Sequence, residues 1–242
     1  MPSIAKKLPI LIGFIFALVY ALFPTSLLTA DGLYYAWHIE NLPLKDSFHP
    51  HHLLWLGFMH LIYNVIHTVL PDVRSLQVLQ FTNAVLGGLS VFVLIQLAAH
   101  ICQNLKVGII IGLLFGLSWG MLHFSTDANI YILVLLLILL TAYILMASGE
   151  VTPQVATVAA LLLAITSLLH EVAIFFSIAI VYSIWLKSPV HSRKKTLIQC
   201  VSIYIVLIAA VYFIVFHTLI RTGIPQSTGF FKWLAAYGAQ SE

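Results

Sequence analysis

The chain has 242 residues, of which 61% are hydrophobic and 8% charged, with a formal net charge of +3 and a mean hydropathy of +1.04. Soluble domains carry about 25% charged residues, and no water-soluble core of this length hides so much apolar surface, so lipid has to solvate most of it. A soluble globule is therefore excluded, and no nucleic-acid partner is expected. Hydrocarbon offers backbone N–H and C=O groups no partner, so crossing segments must be helices or a closed barrel. The alternation of barrel strands is absent, which leaves an all-α, polytopic membrane protein.

Lys6 and Lys7 precede an apolar run over 8–28. It is too long for a secretory signal and has no clear cleavage site, so it reads as a retained first span. Six further apolar runs follow at 76–100, 107–124, 129–147, 154–169, 172–186 and 197–219, giving seven transmembrane helices in one module. The fifth and sixth are short and meet at His170-Glu171 as a tight hairpin. Between the first two spans lies a long loop, 29–75, whose segment 52–70 is almost apolar enough to cross. On a helical wheel His52, His60, Tyr63, Asn64 and His67 share one sector, while Leu54, Trp55, Phe58, Leu61, Ile62, Val65 and Ile66 fill the opposite one. That pattern suits a helix lying in the interface. The tail, 223–242, is a polar turn followed by an aromatic segment (Phe230, Phe231, Trp233, Tyr237), and it reads as an interfacial helix cut off mid-element, as in a piece of a longer chain.

Charge counting supports the flat placement of 52–70. With the N-terminus cytoplasmic, Lys6, Lys7, Lys106, Lys187, Arg193, Lys194 and Lys195 fall inside, against Lys45, Arg74, Arg221 and Lys232 outside. A crossing at 52–70 would turn the run Lys187 to Lys195 outward, against the positive-inside rule. The same topology gathers Asp31, Glu40, Asp46, Asp72, Asp127, Glu171 and Glu242 on the outer face and leaves only Glu150 inside. Cys102 and Cys200 fall nearer the cytoplasmic side and read as free thiols.

The outer face is thus where chemistry is expected. Asp31 opens the long loop in Asp-Gly-Leu-Tyr-Tyr, just after a span, where a charge is costly without a job or a partner. Its carboxylate can serve as general base toward an acceptor hydroxyl, or hold a divalent cation against a phosphate; it can equally be a helix N-cap. Tyr34 follows it. His49, His51 and His52 form one HxHH cluster, too few ligands for a di-iron box and without a convincing fourth ligand for zinc. His170-Glu171 fails as HExxH because position 174 is Ile. A substrate-facing role for these histidines is favoured over a metal site. Asp127, in Ser-Thr-Asp-Ala-Asn, and His170 open onto the same face as Asp31. The expected substrate-binding set is therefore Tyr34, His49, His51, His52, Asp127, His170 and Arg74, with Asp31 and Asp127 as the ligands of any cation. Arg74 and Arg221 suit a phosphate or a snorkelling anchor.

This arrangement resembles the GT-C class of membrane glycosyltransferases, which includes protein O-mannosyltransferases and aminoarabinose transferases. The shared plan is a first span, a long outer loop opening on a catalytic aspartate and carrying interfacial helices, a second acid after the third span, and seven spans in the common module. Asp31 and Asp127 match the two acids. His49-Pro50 is similar to a His-Pro that follows the aspartate in one subgroup, Trp119 with Tyr131 to its Trp…Glu-x-Tyr segment, and His170 to a histidine after its fifth span. The chain departs from that subgroup at His51-His52, where Pro-Gly is usual, and at Asn129, where the Glu of Glu-x-Tyr would fall. The resemblance implies transfer of a sugar from a polyprenyl-phosphate donor on the non-cytoplasmic side, with Asp31 catalytic and Tyr34, the histidines, Asp127 and Arg74 around the substrate. A transporter would instead place ionisable groups at span centres, and here those centres are nearly free of charge. A non-catalytic scaffold is the third class.

Overall fold

The computed structural model describes residues 3–220 and 229–235. Arg221, Tyr237 and Glu242 lie outside the described residues. Everything described is helical apart from turns and one isolated bridge between His49 and His52. The helices are α1 (Ser3–Leu22), α2 (Ala30–Asn41), α3 (Trp55–Val69), α4 (Ser75–Ile101), α5 (Leu105–Gly116), α6 (Trp119–Thr126), α7 (Tyr131–Ala147), α8 (Pro153–Leu169), α9 (Ile174–Lys187), α10 (Arg193–Val215) and α11 (Phe230–Leu234).

Among the described residues, α4 and the segment Arg193–Ile220 are long and apolar enough to cross a membrane. The bent pair α5–α6, broken by 62°, makes a third if taken as one crossing. The all-helical class is therefore met, and two or three of the seven expected crossings have the length and apolarity of a span. The run expected over 8–28 stops being helical at Leu22, because Pro24 disfavours helical backbone at the residue before it. The run expected over 107–124 breaks at Leu117-Ser118. Ser118 accepts from the Met121 N–H and starts a new helix, while the Tyr20 hydroxyl takes up the Gly116 carbonyl at 2.6 Å.

Small residues let the first helices approach closely, the packing device that substitutes for hydrophobic drive in lipid. A methyl group on Gly88 would stand 2.4 Å from the Gly13 carbonyl and 2.6 Å from Ala17. One on Gly112 would meet Ile95 at 2.2 Å. Large apolar side chains point outward instead, among them Phe14, Phe175, Ile178 and Ile198, each more than 60% exposed. Water would not tolerate so broad an apolar exterior.

The helix ends sort into two groups. At one end Lys187 Nζ donates to the carbonyls of Leu145, Met146 and Ser148 and so closes the C-terminus of α7. Val151 N–H donates to Lys187 O beside it. At the opposite end Gln80 Nε2 bridges the carbonyls of Thr25 and Thr126, Asn83 Nδ2 bridges those of Asp127 and Asn129, and Leu54 N–H donates to Leu168 O. The C-terminal ends of α1, α6 and α8 and the N-terminal ends of α4 and α7 therefore meet α2 and α3 at one mouth.

One expectation about α3 is corrected. The polar sector drawn from His52 to His67 is not a single face. His52 precedes the helix, His60 and Tyr63 are buried, and Asn64 and His67 are exposed. Phe58, Leu61 and Val65 also face outward, so α3 both buries and exposes polar and apolar side chains together.

Candidate active site

Asp31 sits in the first turn of α2, but it does not cap the helix. Thr29 does, in extended backbone, its hydroxyl accepting from Gly32 N–H at 3.1 Å. Asp31 is left exposed, its carboxylate next to a helix N-terminus that favours negative charge.

Asp127 holds that helix start in place. It ends α6 fully buried, and its carboxylate accepts from the N–H groups of Thr29 (3.2 Å) and Ala128 (2.7 Å) and from Asn129 Nδ2 (3.4 Å). Gly32 packs on the same carboxylate: a Cβ there would lie 2.9 Å from Oδ1. Asp127 is thus joined to the start of α2, and its oxygens are enclosed and taken up by N–H donors. The two aspartates do not form an open clamp for a cation, and among the described residues no three His, Cys, Asp or Glu side chains are grouped to hold a metal ion.

The histidine loop docks across the end of α8. His52 N–H donates to His49 O, Glu171 N–H to His51 O, and the Tyr212 hydroxyl to Pro50 O. This brings the His52 ring to 4.6 Å from His170, with His49 at 6.2 Å from His52 and 5.3 Å from His51. Tyr131 covers His170 at 5.5 Å, and Tyr35 meets His52 edge-on at 6.3 Å. His49, His51, His52 and His170, distant in sequence, are one cluster.

Burial pushes His49, His52 and His170 below the ordinary imidazole range, His52 to about 4 with the neighbouring His170 adding to the effect. At His170 the carboxylates of Glu171 and Asp31 act against burial, so Asp31 lies within electrostatic reach of the cluster. Glu171, which sequence reasoning set aside with the failed HExxH motif, accepts from His51 Nδ1 at 2.6 Å. Its signal was its position beside His170 at the end of an apolar run.

Two other expected residues lie elsewhere. Arg74 makes a two-pronged contact with Glu40 (Nε–Oε1 2.9 Å, Nη2–Oε2 2.6 Å), and Ser75 N–H joins it at 2.8 Å. Glu40 and Asp31 stand nine residues apart on α2, about 13 Å along its axis. The Arg74 guanidinium therefore locks α2 to α4, away from the start of α2. Tyr34 is exposed and packs edge-on against Tyr35 and His38, one residue short of the cluster that Tyr35 enters.

No family model matches this chain, and neither a curated protein nor a solved structure is significantly similar to it.

Proposed function

We propose that this protein is a seven-crossing membrane glycosyltransferase that moves a sugar from a polyprenyl-phosphate donor to an acceptor on the non-cytoplasmic side. The observation that carries the reading is the exposed Asp31 carboxylate, relieved of capping by Thr29 and within reach of His170 in a four-histidine cluster. An acid that can engage a hydroxyl, beside N–H donors that can engage sugar or phosphate oxygens, suits group transfer. The apolar exterior of the helices supplies the lipid-facing route for a prenyl chain.

Several features support the topology. The passes α1, α4, α5–α6, α7, α8, α9 and α10 alternate in direction. Lys7, Lys106, Lys187 and Arg193 belong to the end away from the cluster, as a cytoplasmic face requires. The apolar stretches of α4, α7 and α8 contain no Asp, Glu, Lys or Arg, which speaks against a transport path through their centres. The donor phosphate falls to imidazole N–H groups, since Arg74 is taken by Glu40; a divalent cation bound to Asp31 and the phosphate is the other means of holding it.

The test is transfer from radiolabelled polyprenyl-phosphate mannose by the full chain in membrane vesicles. Label should leave the lipid fraction with wild type, and Asp31→Asn should abolish this while the protein stays folded. Full turnover by Asp31→Asn would remove Asp31 from the mechanism.

A further inference from the structure

We propose that the turn between α9 and α10 binds the phosphate of an anionic phospholipid through Arg193, Lys194 and Lys195. The site lies at the membrane face opposite the histidine cluster and is independent of the transferase reading.

Three consecutive cations open α10. Lys194 and Lys195 are exposed, and Arg193 is held in place. Its Nε and Nη2 both donate to Ser188 O at 3.4 Å, and its guanidinium stands 5.2 Å from the centre of the Trp185 ring. The electron-rich face of an indole attracts a cation at that distance. The edge of the guanidinium that Ser188 does not use is left for a two-pronged contact with phosphate oxygens.

Among the described residues no acid balances this charge. The ion pairs are those of Glu171 with His51 and of Glu40 with Arg74, both at the opposite end; Glu150, the one acid expected at this face, pairs with none of the three cations. The first turn of α10 contains no acidic residue and no side chain caps it, whereas Asn104 and Thr152 cap α5 and α8. Cations at a helix N-terminus work against the helix dipole. An anion seated among them reverses the sign of that interaction and meets the uncapped N–H groups as well.

What continues from the cations makes the partner a lipid. Ile198 follows Lys194 by four residues and Lys195 by three, so the three share one face of α10. Ile198, Ile205 and Val206 carry that face onward, each more than half exposed. From Lys194 to Val206 is about 18 Å along the axis, a little over half of a hydrocarbon core about 30 Å thick, so the strip covers one leaflet. The segment Arg193–Ile220 is long and apolar enough to cross a membrane. Its first residues therefore stand at headgroup depth, where each Lys or Arg is drawn to anionic lipid. An acidic soluble peptide would use the charges and leave the apolar strip unused.

Native mass spectrometry of the full chain in detergent micelles decides it, counting the lipids retained as phosphatidylglycerol or phosphatidylcholine is titrated in. Wild type should retain phosphatidylglycerol at about tenfold lower concentration than phosphatidylcholine. The double variant Lys194→Gln/Lys195→Gln should weaken retention of phosphatidylglycerol about twentyfold and leave that of phosphatidylcholine unchanged, as the loss of two cations at headgroup depth warrants. Lys106→Gln removes a cation from the capped helix α5 at the same face and should change neither; an equal loss there would mean diffuse attraction and overturn the site. Glycerophosphoglycerol, the same headgroup without its chains, should not compete at the lipid's concentration. Equal competition would make this a site for free phosphates and overturn the lipid assignment. Equal retention of both lipids by wild type, or a double variant that behaves as wild type, would overturn the proposal outright. None of these outcomes bears on sugar transfer.

Discussion

The backbone N–H of Thr29 donates to the side chain of Asp127, 98 residues further along the chain, at 3.2 Å. That bond ties the start of α2, and with it Asp31, to the end of α6. Asp127→Ala would leave the N–H groups of Thr29 and Ala128 without an acceptor in a buried setting, at a cost of about 3 kcal/mol or more. Asp127→Asn keeps one acceptor oxygen and should cost about half as much. Unfolding in detergent, followed by intrinsic fluorescence, measures both, and an Asp127→Ala protein as stable as wild type would contradict this bracketing role.

Gly32 fits the same joint from the other side. A methyl group there would stand 2.9 Å from Asp127 Oδ1, 3.1 Å from Thr29 Oγ1 and 3.3 Å from Ala128 O. None of these is the free end of a flexible side chain. Overpacking of this kind costs about 1–3 kcal/mol, whereas Ala in place of Gly inside a helix gains up to about 1 kcal/mol. The larger effect wins, so Gly32→Ala should lower stability and, under the proposed function, reduce sugar transfer by shifting Asp31. The double variant Gly32→Ala/Asp127→Asn should lose less than the sum of the two changes, because the residues touch.

The Glu40–Arg74 pair makes a prediction in acid. The Arg74 guanidinium, helped by Ser75, holds the Glu40 carboxyl down at about 2, well below its ordinary value. A carboxyl depressed in the folded state contributes stability that is fully present above the unfolded pKa of about 4.5 and is lost as pH falls to about 2. The contribution is modest because Arg74 is mostly in solvent. In Glu40→Gln the decline in thermal midpoint across that window should be shallower than in wild type. Identical curves would show that the pair has no thermodynamic weight.

Long apolar runs translate directly into helices: α4 occupies 75–101 where 76–100 is expected, and α7 and α8 begin and end within about two residues of expectation. What decides the site is tertiary and less legible. Thr29 and Asp31 are both good capping residues, and only the position of the helix start selects Thr29. Asp127 reads as a substrate or cation ligand until its carboxylate is seen to close over Thr29. The polar sector of α3 divides because neighbours pack against it from more than one direction. Glu171 fails as part of a local metal motif, since its partner, His51, is 120 residues away. The clustering of His49, His51, His52 and His170 is expected from topology, because the long loop and the end of the fifth apolar run fall on the same face. The bond from His51 N–H to His49 Nδ1 is an individual contact that no pattern encodes.

His52 makes the cluster itself sensitive to acid. Its ring is pushed down to about 4, chiefly by burial and then by His170, His49 and His51. An unfolded chain binds that proton near pH 6.5, so between about 6.5 and 4 the unfolded state holds more protons than the folded one. Stability should therefore be complete above about 6.5 and decline as pH falls toward 4, the usual sign for a histidine buried neutral. The span of about 2.5 pKa units corresponds to roughly 3 kcal/mol at most, and less if the loop opens to admit water. His52→Phe keeps a planar ring against Tyr35 and His170 but cannot be protonated. Its thermal midpoint should fall less between pH 7 and about 4.5 than that of wild type, the remaining decline coming from His49 and His170, which burial also holds below the ordinary imidazole range; parallel curves would show that His52 is not the group responsible.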